Sequence, residues 1–172
     1  NFDTKNTALN YNGIAVPSLS CTGQWIWGAV PELSIPSLAL ETNTGKITGS
    51  LELKGDAPTL YTNLEGGSNL SELFDFVETD LLVNPMGFWK GDNISLTQGF
   101  RSWEDFTPVG NPIFKGDISF FEGAFALARS NISVEKVEAE LGIDGRNIQI
   151  DRCFLQSGEN TAVVTGTIYN AL

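Results

Sequence analysis

Histidine is missing from all 172 residues. Its absence removes Ser-His-Asp triads, most zinc sites and the side chain that ordinarily titrates near neutral pH. Any acid–base or nucleophilic chemistry would fall to carboxylates, Lys, Tyr, Ser or Cys. Positive charge is also scarce: 10 Lys and Arg stand against 21 Asp and Glu, a formal net charge of -11. No Lys/Arg cluster is present, which argues against nucleic acid as a partner and against docking on anionic headgroups through a basic patch. Long apolar runs are missing, none approaching the ~18 residues of a membrane helix. No signal peptide opens the chain, and it does not begin with Met. Starting at Asn1 and ending at Leu172 in sequence that still reads as strand, it is expected to be a piece of a longer protein. Cysteine is limited to Cys21 and Cys153. Far apart in sequence, the two can close one long-loop disulfide or stay as buried free thiols.

Apolar residues make up 41% of the chain, too many for disorder and enough for one β-rich domain spanning 1–172. Short alternating stretches punctuated by Gly, Asn and Asp recur along most of it. Leu33–Glu41 and Lys46–Leu53 flank Asn43-Thr44-Gly45, with Ile47, Leu51 and Leu53 on one face. Gly55–Pro58 turns into Thr59–Leu64, which Gly66-Gly67 closes. Glu122-Gly123 reads as a two-residue hairpin turn pairing Phe120 with Phe125 and Ile118 with Leu127. Asp144-Gly145 is a stronger turn signal. It sets Leu141 opposite Ile148 and Ala139 opposite Ile150, with Glu138, Glu140, Gln149 and Asp151 on the other face. That register faces Glu138 with Asp151 and leaves Arg152 on the apolar side, which a bulge around Arg152-Cys153 would relieve. Ser157–Asn160 then turns into Ala162–Tyr169. One short helix is expected near 69–77, capped by Ser68 or Asn69, with Leu70, Leu73, Phe74 and Val77 at helical spacing. Residues 78–112, holding Pro85, Trp89, Trp103, Pro108 and Pro112, read as an irregular insertion, either a long connection or a strand pair with an extended loop. The first 32 residues give no clean pattern beyond Gln24–Gly28.

Candidate chemistry is thin. Glu72, Asp75, Glu78 and Asp80 are the densest acidic group, with Glu104-Asp105 further on, but a solvated polar face explains such groups better than a carboxylate pair for glycoside hydrolysis. No spacing of oxygen ligands matches a calcium loop, and no glycine loop leads into a phosphate-binding helix. No metal and no cofactor is expected, and no catalytic centre. Trp25, Trp27, Trp89 and Trp103 are candidates for a sugar-stacking platform, although core or edge packing is the commoner fate of such residues. The apolar stripes of the strands can either bury in a closed core or line a groove.

A resemblance adds to this reading. Gly116–Phe120, Gly123–Leu127, Ile132–Val134, Val137–Leu141, Gly145–Ile150, Ser157-Gly158 and Val164–Asn170 follow one another in a cadence that resembles the AsmA family of bacterial envelope proteins. Leu53–Leu60 followed by Asn69–Phe74 is similar to that family's strand-then-short-helix element. The resemblance implies an all-β fold: an antiparallel meander of long hairpins forming a curved, elongated sheet or open groove. It implies a fragment of a larger membrane-anchored protein, located in the periplasm, with anchoring through parts outside this chain. The implied role is non-enzymatic, in outer-membrane assembly or biogenesis, with lipid or other envelope proteins as partners. Ile118, Phe120, Phe125, Leu127, Ala139, Leu141, Ile148 and Ile150 become candidates to line a path for acyl chains. The alternative is a glycan-binding or adhesive β-sandwich of the cell envelope using the tryptophans.

Overall fold

The computed structural model describes residues 1–11, 14–72, 82–128, 130 and 132–171. Ten strands form one antiparallel sheet in the order β1-β2-β3-β4-β5-β6-β7-β8-β9-β10, so every strand pairs only with its neighbours in the chain. They are β1 (Phe2–Tyr11), β2 (Ile14–Ile26), β3 (Glu32–Glu41), β4 (Lys46–Lys54), β5 (Thr59–Asn69), β6 (Leu82–Phe100), β7 (Pro108–Leu127), β8 (Ser133–Gly145), β9 (Asn147–Ser157) and β10 (Asn160–Ile168). The sheet is open at β1 and β10 and does not close into a barrel. The all-β antiparallel meander expected from the sequence is therefore the fold.

The alternation of side chains fixes the pairing. Slipping any strand by one residue would turn its leucines and isoleucines to the polar side. The β3–β4–β5 register follows the reading above, with Leu40 opposite Ile47 and Leu53 opposite both Leu33 and Leu60. Gly66-Gly67 does not end β5, which runs on to Asn69. There Ser68 and Asn69 are strand residues, with Asn69 directly before the first helical residue, Leu70. Of the expected helix, residues 70–72 are helical; Leu73, Phe74 and Val77 lie outside the described residues.

Other expectations are corrected. Glu122-Gly123 is no hairpin turn: β7 runs straight through it, and Phe120 pairs with Trp89 and Ala139, not with Phe125. Ile118 pairs with Gly91 and Leu141, not with Leu127. Glu122 sits at a bulge with φ 50°, a left-handed conformation that the sequence signals in the same way for a bulge as for a turn. The β8–β9 loop is Gly145-Arg146, one residue later than read, so Leu141 faces Ile150 and Ile143 faces Ile148. That two-residue offset keeps every side chain on its face. Gly145 takes φ 65° at the first loop position, as a tight hairpin requires. The bulge expected at Arg152-Cys153 falls at Asp151, the extra residue between the pairs Leu141–Ile150 and Glu140–Arg152. Arg152 thereby meets Glu140, and Glu138 faces Phe154 instead of Asp151.

Of the two readings of 78–112, the described residues 82–112 take the strand pair: β6 and the start of β7, joined by a loop over 101–107. Their prolines lie where the ladder has only one partner. Pro85 precedes the first β5–β6 pair, Asn69–Phe88, and Pro108 and Pro112 precede the first β7–β8 pair, Phe114–Gly145. A missing N–H is tolerated on such an edge segment. Cys21 on β2 and Cys153 on β9 are free thiols, seven strands apart in the sheet order.

No second layer covers this sheet. A compact monomer of 18.6 kDa exposes about 8,200 Å² by size scaling, whereas this chain exposes 10765 Å². Among the described residues the buried apolar side chains are Leu53, Leu70, Ala139 and Pro58.

Candidate functional site

Registers across the sheet place one apolar row after another on a single face. Leu19 lies opposite Leu40, Trp25 opposite Leu33, and Leu51 opposite Ile35. Further along, Ile118, Leu141 and Ile150 form one row, and Phe120, Ala139 and Cys153 the next. The Glu122 bulge shifts the alternation of β7 by one residue, so Gly123, Phe125 and Leu127 return to the face of Ile118 and Phe120. Ile118, Phe120, Phe125, Leu127, Ala139, Leu141, Ile148 and Ile150 thus share one face, although several of their sequence-expected pairings are wrong. Ala139 is buried at 6% exposure; the other seven are half-buried. With no sheet opposite, the shielding comes from neighbours on the same face. The sequence reading missed that this face continues through β2–β6, where Leu33, Leu40, Leu51, Leu53, Leu60 and Leu64 carry the same alternation. The signal was present in those leucines, but hairpin by hairpin it does not reveal that all the stripes join.

Two segments cross the ends of the face. At one, the β6–β7 loop is closed by backbone bonds between Arg101 and Thr107 and between Ser102 and Asp105. Asp105 organises it, accepting from the Arg101 guanidinium at 2.7 Å and from the Thr107 amide at 3.0 Å. The loop lays Trp103 edge-on against Trp25, with ring centres 5.7 Å apart, and its indole N–H donates to the Gly55 carbonyl at 2.9 Å. Phe106 adds to the cluster beside Phe100 and Trp103. Trp27, 5.1 Å from Trp25, is 80% exposed. The structure therefore brings Trp25, Trp27 and Trp103 together but not Trp89, whose indole N–H donates to Ser68 Oγ at 3.0 Å on the β5–β6 pair. The indole N–H of Trp25 is buried without a partner among the described residues.

At the other end Leu70, 4% exposed, reaches over Gly123. The helical residues 70–72 are moored to the β3–β4 hairpin through Glu72, which accepts from Thr42 Oγ1 at 2.6 Å and Thr44 Oγ1 at 2.7 Å. Burial works to raise the Glu72 carboxyl, but hydroxyls of Thr42, Thr44 and Ser68 and the Asn43 backbone outweigh it and hold the group below the usual carboxylate range. Asp75, Glu78 and Asp80 lie outside the described residues.

The opposite face carries ion pairs Lys54–Glu52, Lys90–Asp92, Lys115–Asp144 and Lys136–Glu138, beside exposed Met86, Phe88 and Phe121. Such exposed pairs contribute little stability, because water and salt screen them. Lys136 and, more weakly, Arg152 hold Glu138 below its ordinary range. Among the described residues no group of His, Cys, Asp or Glu is arranged to hold a metal ion. Burial pushes the Cys153 thiol up, which disfavours the reactive thiolate. No helix among the described residues is long and apolar enough to cross a membrane.

The class defined by this arrangement is an open antiparallel meander with apolar rows joined along one face and the ion pairs on the other. Comparison with family models, with curated proteins and with solved structures finds no match.

Proposed function

We propose that this chain is a non-enzymatic periplasmic domain of an AsmA-like outer-membrane assembly protein, and that it shelters or conducts lipid acyl chains along its apolar face. The observation that carries this reading is an apolar face running from β2 to β9, with no second layer over it among the described residues. Water on such a surface is costly, at about 25 cal/mol for each Å², and a flexible hydrocarbon chain is the simplest ligand that removes it. Backbone polar groups between strands are already paired in the ladders, so an acyl chain sliding over them desolvates nothing polar. A lipid path needs no acid, base or metal. The strand cadence supports the envelope setting.

Native mass spectrometry of the chain purified with envelope lipids, and displacement of a fluorescent fatty acid, test the reading. Wild type is expected to carry lipid. Leu141→Asp, at a half-buried position, is expected to stay folded by circular dichroism and lose it. Lipid-free wild type that also fails to bind the fluorescent fatty acid would remove the proposal. A second reading, a glycan platform, is favoured by the contact of Trp25, Trp27 and Trp103 beside an indole as exposed as that of Trp27. Tryptophan fluorescence unchanged by a broad panel of envelope glycans would exclude it.

A further inference from the structure

Charged residues make up 18% of the chain, yet none lies between Lys5 and Glu32. That stretch ends in the β2–β3 loop, Trp27-Gly28-Ala29-Val30-Pro31. Ile26, Trp27 and Val30 are all exposed there, and among the described residues no large apolar side chain is more exposed than Trp27. The exposed indole is braced from behind. Trp27 rests on Trp25, Trp25 on Trp103 and Trp103 on Phe106, and Trp103 is fixed by its bond to the Gly55 carbonyl. At the far end of this row of rings Phe106 is exposed as well. In the antiparallel meander the β2–β3, β4–β5 and β6–β7 loops fall at one end of the sheet, so an internal end of the molecule carries a rigid apolar tip. Apolar surface held in water in this way marks a contact site.

We propose that this tip docks on the surface of a phospholipid bilayer with zwitterionic headgroups, seating Trp27 at headgroup level with Val30 and Phe106 beside it. Residue type selects the bilayer. An indole joins an apolar ring to a single N–H donor, and it collects where one end meets hydrocarbon and the other water. From Ile26 to Pro31 the indole nitrogen of Trp27 is the sole polar side-chain atom. The loop therefore gives a protein partner no charge and almost no hydrogen bond with which to fix a register, whereas a fluid lipid surface requires neither. Charge selects the headgroup. Asp56 and Glu104 are exposed in the neighbouring loops, while Lys54 and Arg101 beside them are already paired with Glu52 and Asp105. With a net charge of -11, the chain is repelled by anionic headgroups, and burial of the apolar side chains is the attraction that is left. The docking goes beyond the acyl path and stands without it. Trp25 nevertheless lies opposite Leu33 on the apolar face, so a bilayer at the tip meets one end of that face.

Flotation with phosphatidylcholine vesicles, read together with tryptophan emission, tests this. Wild type is expected to float with the vesicles and its emission to shift to the blue. Trp27→Ser and Val30→Asp should each weaken partitioning by about tenfold or more. Both should keep the wild-type far-ultraviolet spectrum, because both side chains are exposed. Met86→Ser, exposed at the other end of the sheet, and Leu141→Asp on the apolar face should float as wild type does. Phosphatidylglycerol in the vesicles should weaken binding, and salt should leave binding to neutral vesicles intact. Wild type that stays in the soluble fraction overturns the proposal. So does binding that requires phosphatidylglycerol and is lost in salt, binding indifferent to Trp27 and Val30, or a response to soluble glycans without any to vesicles. The acyl path is read separately: flotation without displacement of a fluorescent fatty acid removes the path and leaves the docking.

Discussion

Leu53 and Leu141 are the same side chain on the same face of the same sheet, and they differ in burial. Leu53 is 8% exposed and lies at the end of β4, next to the Gly55 carbonyl that anchors Trp103. Leu141 sits between Ile118 and Ile150 and remains half-buried. In a two-layer domain both would be sealed by an opposing sheet. Here burial is uneven along a single face, with Leu53 and Ala139 sealed and Leu141 between Ile118 and Ile150 still half-buried.

Three measurements break or sharpen that contrast. The largest effect is expected from Leu53→Asp, which places an unpaired carboxylate in a sealed site and should cost about 4 kcal/mol in urea unfolding. The same substitution at Leu141 should cost clearly less, and equal costs would mean that the two regions do not differ. Next, Trp103→Ala should cost about 2–3 kcal/mol. That is below the usual ~3–5 kcal/mol for a fully buried aromatic, because Trp103 is only half-buried. It should also speed hydrogen exchange near Leu53 and Trp25 while leaving β8–β9 unchanged. The smallest effect concerns Glu72. Its folded carboxyl lies below the ordinary value, so its contribution is complete above the unfolded Glu pKa of ~4.3 and is lost as pH falls through the lower folded value. Glu72→Gln should flatten the acid limb of the stability profile, read by thermal melts across that range.

Much of the fold was legible where alternation and turn chemistry agreed, as in β3–β5 and from β8 onward. The β8–β9 bulge was legible too, because an acidic pair and a stranded Arg152 demanded one. The reading failed at Glu122-Gly123 for a definite reason: a positive φ is required by a tight turn and by a bulge alike, and the sequence states the backbone requirement without saying whether the chain reverses. Across 82–112 two readings stayed open because prolines usually break strands, whereas Pro85, Pro108 and Pro112 sit on segments of a strand pair that have only one partner. For the candidate face, residue membership was legible, since Ile118 and its companions share one side. Its extent was not. Whether the β3–β5 leucines and the β7–β9 isoleucines belong to one surface depends on all the hairpins joining one sheet, which no local pattern encodes.

Because each strand hydrogen-bonds only with the strands before and after it, the sheet is effectively one-dimensional. Its stability is close to a sum of strand terms and nearest-neighbour seams, as in repeat proteins. No pairing must wait for a distant part of the chain, so the loop-closure entropy of folding stays small. Unfolding should then proceed as fraying inward from β1 and β10, with the middle of the sheet the last to open, instead of as a single all-or-none event. The same topology makes length a free variable. A hairpin added or removed at an edge leaves every interior contact as it was, and the apolar surface grows or shrinks in proportion.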